Sequence, residues 1–447
     1  MPVGRILANK YRIAMLSIFL IGLVIRLLLA PFSTGSDIPQ FAGFADTFRE
    51  HGLCFYKYSD PSDYKLKGWP YPWPYVYGPI WILILGFLRV FADDPVRYFW
   101  VNGLYKVYAP VSWIIAVKSL LILFDTISAL LIYKLVYEYT RKQKFSILAL
   151  ILYYMNPCTI YITSIYGMFD QVALAFFLAA LYLYMRNKAL SSGVLAGVSF
   201  ITKQTLAPSV IFLTILVFKT RSSMLKRFVI GLVLPILLLV GPFMACPGSI
   251  TGLLSSLKQA GSPFYTLPIQ YSFNGVSSLA TYLWKHQGMD LLLLIRLWII
   301  PAALLSAILL YVALTRKPLG LFTMVLSPLL VFATTYWRVN YQYLLPLVGL
   351  LVLALAESLG NNALKFLKTM LILFIGLWPI FFPTSWWFHV HIASPNTELI
   401  KIIDSITLMI FDERFYVAYS MILTLLEYSL IILIISRWWA QKDVCQH

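Results

Sequence analysis

Apolar runs of helical length alternate along the whole chain with short basic segments. A run of about 17–25 apolar residues is long enough for an α-helix to cross a bilayer, and a helix satisfies its own backbone hydrogen bonds there. The pattern predicts an all-α polytopic membrane protein, with one transmembrane domain over residues 1–447. We expect about twelve spans, which run approximately over 13–32, 113–137, 145–164, 170–186, 190–206, 208–219, 228–247, 290–313, 319–334, 341–357, 365–383 and 416–437.

Two places in this pattern need a separate interpretation. Segment 75–92 is apolar enough to span, but a crossing there would move the basic cluster 141–144 to the other side, so we expect an outer interfacial helix. Segments 190–206 and 208–219 are each short and predict a broken helix pair that meets near Pro208. Irregular backbone at membrane depth is tolerated where it lines a cavity.

The charge pattern assigns sides to these segments. Only 12% of the residues are charged, about half the share in soluble domains, and the net charge is +17. The basic clusters fall between spans, which indicates cytoplasmic loops and cytoplasmic termini rather than a nucleic-acid partner. Most acidic residues and the long loops 33–112, 247–289 and 384–415 then lie outside, so we expect any chemistry on the outer side.

The stretch "TGSDIPQF" (34–41) places Asp37 directly beyond the first span. A partly desolvated carboxylate at such a position can serve as a general base. Asp37, followed by Pro39, also suits a helix N-cap. The local sequence leaves both interpretations open.

The stretch "KGWPYPWPYVYGP" (67–79) is dense in proline and aromatic residues. Proline restricts the backbone, and aromatic faces can hold a sugar ring, so Trp73 and Tyr77 are candidate substrate contacts. The alternative is an interfacial aromatic belt.

Four further stretches supply charged and polar candidates. Lys203 and Gln204 lie at the apex of the broken pair, where an ammonium can hold a lipid phosphate or simply snorkel. Asp170, at a turn between two spans, either caps a helix or holds a polar ligand group. Arg338 can bind phosphate oxygens in a fork or contact lipid headgroups, and Gln342 follows as a hydrogen-bonding group.

The remaining reactive side chains form no recognisable set. The four cysteines lack metal-binding spacing, and we expect two unrelated thiols at Cys54 and Cys246, with a disulfide as the alternative. Lys118 and Asp125, seven residues apart on one helix face, are expected to pair inside the bundle. The histidines form no convincing set of metal ligands, so we expect no metal. The sequence contains no Gly-rich phosphate-binding loop, and we expect no cofactor.

Six of these stretches, in this order, resemble the motifs of the GT-C superfamily of membrane glycosyltransferases. The resemblance is greater to enzymes that take mannose or glucose from a polyprenyl-phosphate carrier. These are the catalytic subunit of glycosylphosphatidylinositol mannosyltransferase I and the dolichyl-phosphate-glucose-dependent glucosyltransferases. The matching stretches are 36–48, 71–81, 118–135, 156–183, 202–208 and 334–347.

The resemblance implies a GT-C fold and inverting transfer of a hexose, mannose before glucose, from a polyprenyl (dolichyl) phosphate. The acceptor would be a lipid-linked glycan or glycolipid on the outer or lumenal face, and Asp37 would be the catalytic base. Donor phosphate would be held by Arg338 and Lys203, and the substrates would contact Asp170, Gln342, Gln204, Tyr77 and Trp73.

One departure concerns the acidic first-loop motif. The resembled enzymes often carry an Asp-x-Asp pair, but Gly35 occupies the earlier position here, which weakens the case for a divalent metal. We expect a prokaryotic plasma membrane in preference to an endoplasmic reticulum, and the need for a small partner subunit stays open. The alternative function is a transporter or flippase of lipid-linked glycans, because broken helices and embedded charges also mark transporters.

Overall fold

The described parts of the chain form a bundle of α-helices. The computed structural model describes residues 2–32, 34–35, 37–59, 74–101, 104–261, 272–358, 360–381, 390–392, 405, 409 and 412–441. Its longest helices are Pro2–Leu29, Val111–Thr140, Asn362–Phe381 and Glu413–Trp439. Twelve helices of intermediate length comprise Asp37–His51, Pro79–Phe91, Gln143–Tyr154, Asp170–Met185, Ala189–Thr202, Ala207–Thr220, Ser222–Pro235, Ser249–Gly261, Gly275–Gln287, Ile299–Thr315, Leu321–Thr335 and Leu344–Glu357.

Short helical turns connect these helices. Single α-turns are Pro157–Ile160, Gly241–Met244 and Leu292–Arg296. Segments of 3₁₀-helix are Ala30–Phe32, Gly52–Tyr58, Gln204–Leu206 and Tyr341–Tyr343. Segments of π-helix are Tyr161–Tyr166 and Ile236–Val240.

Within the described ranges, six helices are long and apolar enough to cross a membrane, or seven if one bent pair counts as a span. That pair, Gln143–Tyr154 with Pro157–Tyr166, bends by 49°. The molecule is therefore a multi-pass all-α membrane protein, but the predicted twelve spans are not confirmed. Several predicted spans form shorter helices: Ala189–Thr202 has 14 residues, about 21 Å against a hydrocarbon core of about 30 Å.

A small sheet, which the helical periodicity did not predict, accompanies the bundle. Strands β1 (Arg97–Val101) and β2 (Leu104–Ala109) pair antiparallel. Strand β3 (Val390–Ile392) lies parallel to β2, with Val107 opposite Val390. The sheet thus joins residues almost 300 positions apart, a pairing that no local pattern reveals.

The predicted pair of short helices is present, but the break lies at Lys203 and not near Pro208. Helix Ala189–Thr202 is followed by Lys203, whose backbone is extended (φ −152°), and Pro208 lies in the first turn of the next helix, Ala207–Thr220. The first of these helices packs closely on Ser222–Pro235, because a Cβ on Gly193 would lie 2.1 Å from a backbone oxygen of that helix. This close packing fixes the end of the helix that presents Lys203.

The predicted Lys118–Asp125 pair is wrong. Asp125 Oδ2 instead accepts a hydrogen bond from Arg26 Nε at 2.7 Å, and both side chains are fully buried. Lys118 Nζ donates to the carbonyl oxygens of Ser164 and Ile165 at 2.6 and 2.9 Å. Spacing along one helix face did not decide the pairing, because other segments supply partners for both groups.

The expectation of two unrelated thiols is also wrong, since Cys54 and Cys246 form a disulfide with a Cα–Cα distance of 5.2 Å. It joins the turn Gly52–Tyr58 to the residues that precede helix Ser249–Gly261. The two segments touch elsewhere as well: a Cβ on Gly252 would lie 2.2 Å from the Tyr56 carbonyl oxygen. This packing brings together cysteines 192 residues apart.

Candidate active site

Asp37 is the first residue of helix Asp37–His51 and is partly buried. Its Oδ2 accepts a hydrogen bond of 2.6 Å from the Tyr166 hydroxyl. The start of this helix is fixed from another side, because Trp113 Nε1 donates to the Ile38 carbonyl oxygen at 2.8 Å. The carboxylate thus has a defined position.

A buried ion pair lies near this carboxylate. Lys203 Nζ is 2.5 Å from Asp170 Oδ2, and the two side chains are 2% and 0% exposed. The ammonium also lies 4.6 Å from the ring centroid of Phe169 and 5.5 Å from those of Tyr77 and Tyr343. Aromatic faces attract cations, so the ammonium is held by one carboxylate and three rings.

Electrostatic interactions connect Asp37 to the other charged candidates. Burial raises the pKa of the Asp37 carboxyl above its ordinary value, while the Tyr166 hydrogen bond and the charges of Lys203 and Arg338 oppose the rise. A carboxyl group with a raised pKa is a stronger base than an exposed one. The Asp37 charge also acts on Asp170. Five side chains therefore interact in one site: Asp37, Tyr166, Asp170, Lys203 and Arg338.

Two buried acceptor atoms at the site have no hydrogen-bond partner in the described part of the chain: Asp170 Oδ1 and Gln342 Oε1. Gln342 is only 6% exposed and lies in the turn Tyr341–Tyr343, four residues after Arg338. A buried acceptor without a partner is unfavourable. Both atoms can accept a hydrogen bond from a water molecule or from a hydroxyl group of a ligand.

Gln204 holds in place the loop that precedes helix Pro79–Phe91. Its Nε2 donates to the Val76 carbonyl oxygen, and the Tyr56 hydroxyl donates to the Tyr77 carbonyl oxygen at 2.8 Å. The same loop touches the end of helix Ala189–Thr202, where a Cβ on Gly78 would lie 1.8 Å from a backbone oxygen. Gln204, predicted as a substrate contact, thus anchors the segment that presents Tyr77.

The aromatic residues of this loop divide into two groups. Tyr77 is partly exposed, whereas Tyr75 and Trp81 are fully buried. Trp81 stacks on Phe169 with ring centroids 4.3 Å apart and 5° between the planes, so it belongs to the packed wall of the site. Trp73, the other predicted contact, lies outside the described residues.

Sequence reasoning did not identify Tyr166, which lies inside the matching stretch 156–183 but carries no charge. Its ring also accounts for Gly35, because a Cβ there would lie 2.5 Å from that ring. An aspartate at position 35 would therefore displace the residue that binds Asp37. Among the described residues, no group of three His, Cys, Asp or Glu side chains could hold a metal ion.

Comparison with known proteins identifies a family. No curated protein matches the chain. The family model of glycosyltransferase family 87 matches residues 75–335, more than half of the chain. The matched range contains Tyr77, Asp170 and Lys203. Arg338 lies three residues after its end, and Asp37 lies 38 residues before its start. The chain belongs to glycosyltransferase family 87.

Proposed function

We propose that this membrane glycosyltransferase inverts the anomeric centre of a hexose, mannose before glucose, as it moves the sugar from a polyprenyl phosphate to a lipid-linked glycan or glycolipid. Family membership supports sugar transfer rather than the transporter or flippase alternative. The observation that carries the finer proposal is the position of Asp37, a partly buried carboxylate within the fields of two cations.

In this mechanism Asp37 is the general base. The acceptor hydroxyl gives its proton to the carboxylate, the freed oxygen forms a bond to the anomeric carbon, and the bond from that carbon to the phosphate oxygen breaks. The bonding electrons leave with the polyprenyl phosphate. Attack from the face opposite the phosphate inverts the anomeric configuration.

The departing phosphate gains negative charge, and preorganised cations stabilise such a charge. Arg338 is our candidate for direct phosphate binding, because its charge acts on Asp37 and Tyr77 and a guanidinium binds two oxygens at once. Lys203 is committed to Asp170 through one N–H. An ammonium has three donors, so Lys203 retains the capacity to bind a phosphate oxygen.

The neutral part of the donor is polyhydroxylated, which fits the remaining groups. We propose that Asp170 Oδ1 and Gln342 Oε1 accept hydrogen bonds from sugar hydroxyls, since both are buried acceptors. Tyr77 would pack against the sugar, and Gln204 would support it by holding the loop that contains Tyr77. Trp73 remains a proposed substrate contact because of its sequence context.

We place the site on the outer face of a prokaryotic plasma membrane, with both termini in the cytoplasm. The charge pattern supports this orientation, and so does the Cys54–Cys246 disulfide, because disulfides persist in oxidising compartments. Cys54 follows closely on the helix that Asp37 begins. A donor on that face has to be attached to a lipid, since nucleotide sugars are made in the cytosol.

The test is transfer of label from radiolabelled polyprenyl-phosphate-mannose, with polyprenyl-phosphate-glucose in parallel, to a membrane lipid extract. The enzyme is purified and reconstituted in lipid. Asp37→Asn is compared with Asp46→Asn, the same change on the same helix, where the carboxylate is half exposed and pairs with Arg89 at 2.8 Å.

We expect Asp37→Asn to lose about 10²–10⁴-fold in turnover, the usual contribution of a general base, while Asp46→Asn retains it. Wild-type turnover by a folded Asp37→Asn protein would refute the role of Asp37. Failure of both donors with the wild-type enzyme would refute the proposed donor class and leave family membership untouched.

A further inference from the structure

The Tyr166 hydroxyl is the closest partner of the Asp37 carboxylate, at 2.6 Å across 129 residues of sequence. We propose that Tyr166 is a positioning residue, which fixes the Asp37 carboxylate so that its other oxygen receives the acceptor proton. This inference rests on the proposed role of Asp37 as the base. Tyr166 itself touches the base and takes no part in bond formation.

The backbone around both residues is arranged to maintain this contact. Gly35 N donates to the Tyr166 carbonyl oxygen at 2.8 Å. Gly167 adopts a left-handed conformation (φ 91°), and a Cβ there would lie 2.3 Å from Ile38 Cδ1. The segment before Asp37 and the turn after Tyr166 are therefore bonded to each other and packed without space for a larger residue at either glycine.

A buried lysine holds the same turn from the interior. Lys118 is fully buried, and its Nζ donates to the carbonyl oxygens of Ser164, Ile165 and Ala30 at 2.6, 2.9 and 3.1 Å. These bonds connect the end of the π-helix that carries Tyr166 to the turn that leads to Asp37. A charge at this depth usually has a specific task, and here it fixes two backbone segments relative to each other.

The ring of Tyr166 is fixed as well as its backbone. It is 4% exposed and lies edge-on to Tyr341 with ring centroids 4.4 Å apart. Phenylalanine would keep this packing and remove only the hydroxyl. Tyr166→Phe therefore separates the hydrogen bonds of the hydroxyl, with Asp37 and with Tyr341, from the packing of the ring.

The pH dependence of turnover reports the bond to Asp37, because Tyr166→Phe removes no charged group from the surroundings of the carboxylate. In the described part of the chain the titratable and charged groups that act on Asp37, or on which it acts, are Tyr77, Tyr166, Asp170, Lys203, Arg338, Tyr341 and Tyr343. A hydrogen bond to the carboxylate favours the charged form. Its removal raises the pKa of Asp37 further, and the acidic limb of the pH profile moves to higher pH.

The experiment measures kcat/KM against pH with radiolabelled polyprenyl-phosphate-mannose and a membrane lipid extract. Wild type is compared with Tyr166→Phe and Asp37→Asn. Tyr184→Phe is the matched control, because it removes a hydroxyl that bonds Thr220 at 2.7 Å, near the opposite end of helix Asp170–Met185 from Asp170. Site-specific trifluorotyrosine at position 166, a stronger hydrogen-bond donor, supplies the opposite perturbation and retains the ring.

We expect Tyr166→Phe to move the acidic limb about one to two pH units toward higher pH, the equivalent of a hydrogen bond to a charged group. Trifluorotyrosine should move it to lower pH, and Tyr184→Phe should leave it unchanged. Superimposable profiles for wild type and both position-166 variants would overturn the positioning role. Superimposable profiles together with an inactive Asp37→Asn protein would refute only the positioning role of Tyr166. An active Asp37→Asn protein would refute the proposed role of Asp37 as the base.

Discussion

The Lys203–Asp170 ion pair allows a quantitative test of how strongly this site is desolvated. The two side chains are 2% and 0% exposed, with 2.5 Å between Nζ and Oδ2. Removal of one partner of such a pair leaves a buried charge uncompensated, which destabilises a protein by about 3–5 kcal/mol. We expect a loss of that size for Asp170→Asn and for Lys203→Met.

The double variant Asp170→Asn/Lys203→Met removes both charges. It should unfold at a higher temperature than either single variant. Replacement of a complete buried pair by neutral groups is often close to neutral for stability. The three rings around Lys203 favour this outcome, because they accommodate a methionine side chain, whose sulfur also contacts aromatic rings favourably. Activity should stay low in the double variant, since Asp170 is also a proposed sugar contact.

The assay is thermal unfolding in detergent micelles, followed by tryptophan fluorescence and analysed as a double-mutant cycle. Lys285→Met is the matched control. Its ion pair with Glu413 has the same 2.5 Å distance, but its side chains are 39% and 26% exposed. Exposed pairs contribute about 0–1 kcal/mol, so an Asp170→Asn loss no larger than that of Lys285→Met would refute the reasoning.

Three further predictions follow from other features. Cys54 and Cys246 should react with an alkylating reagent in the denatured protein only after reduction, as mass spectrometry of the peptides would reveal, and their replacement should cost about 2–5 kcal/mol. The raised pKa of Asp37 implies that turnover falls as the pH drops through that value, at a higher pH than for an exposed aspartate; a pH–rate profile tests this. Gly35→Ala should destabilise by about 1–3 kcal/mol through overpacking and slow transfer, whereas Gly241→Ala, where a Cβ meets nothing within 4 Å, should do neither in the unfolding and transfer assays.

The apolar pattern predicted where helices lie better than how many of them cross the membrane. The expected segment 319–334 corresponds to helix Leu321–Thr335, and 170–186 to Asp170–Met185. Both helices are shorter than a full span. Helix ends depend on turns such as the extended backbone at Lys203, and hydrophobicity alone does not mark these positions.

The candidate residues of the site could be chosen individually from the sequence, but their partners could not. Asp37 and Lys203 were selected for their charge and position. Their closest contacts, with Tyr166 and Asp170, join residues 129 and 33 positions apart. An uncharged tyrosine gives no local signal of such a contact, because only the fold brings its hydroxyl to the carboxylate.

The buried carboxylates of this bundle differ in whether their oxygen atoms already have hydrogen-bond partners. This difference distinguishes structural carboxylates from candidates for ligand binding. Asp125 uses both oxygens, with Tyr153 on Oδ1 and Arg26 on Oδ2, so it has no evident capacity for a ligand. Glu427 has a buried oxygen without a hydrogen-bond partner, but no Lys or Arg lies within 4 Å of it in the described ranges, and a neutral acid is the cheaper form to bury. Asp170 combines a cation on Oδ2 with an unpartnered Oδ1. That combination supports the proposed sugar contact at Asp170, whereas the Arg26–Asp125 pair stabilises the bundle.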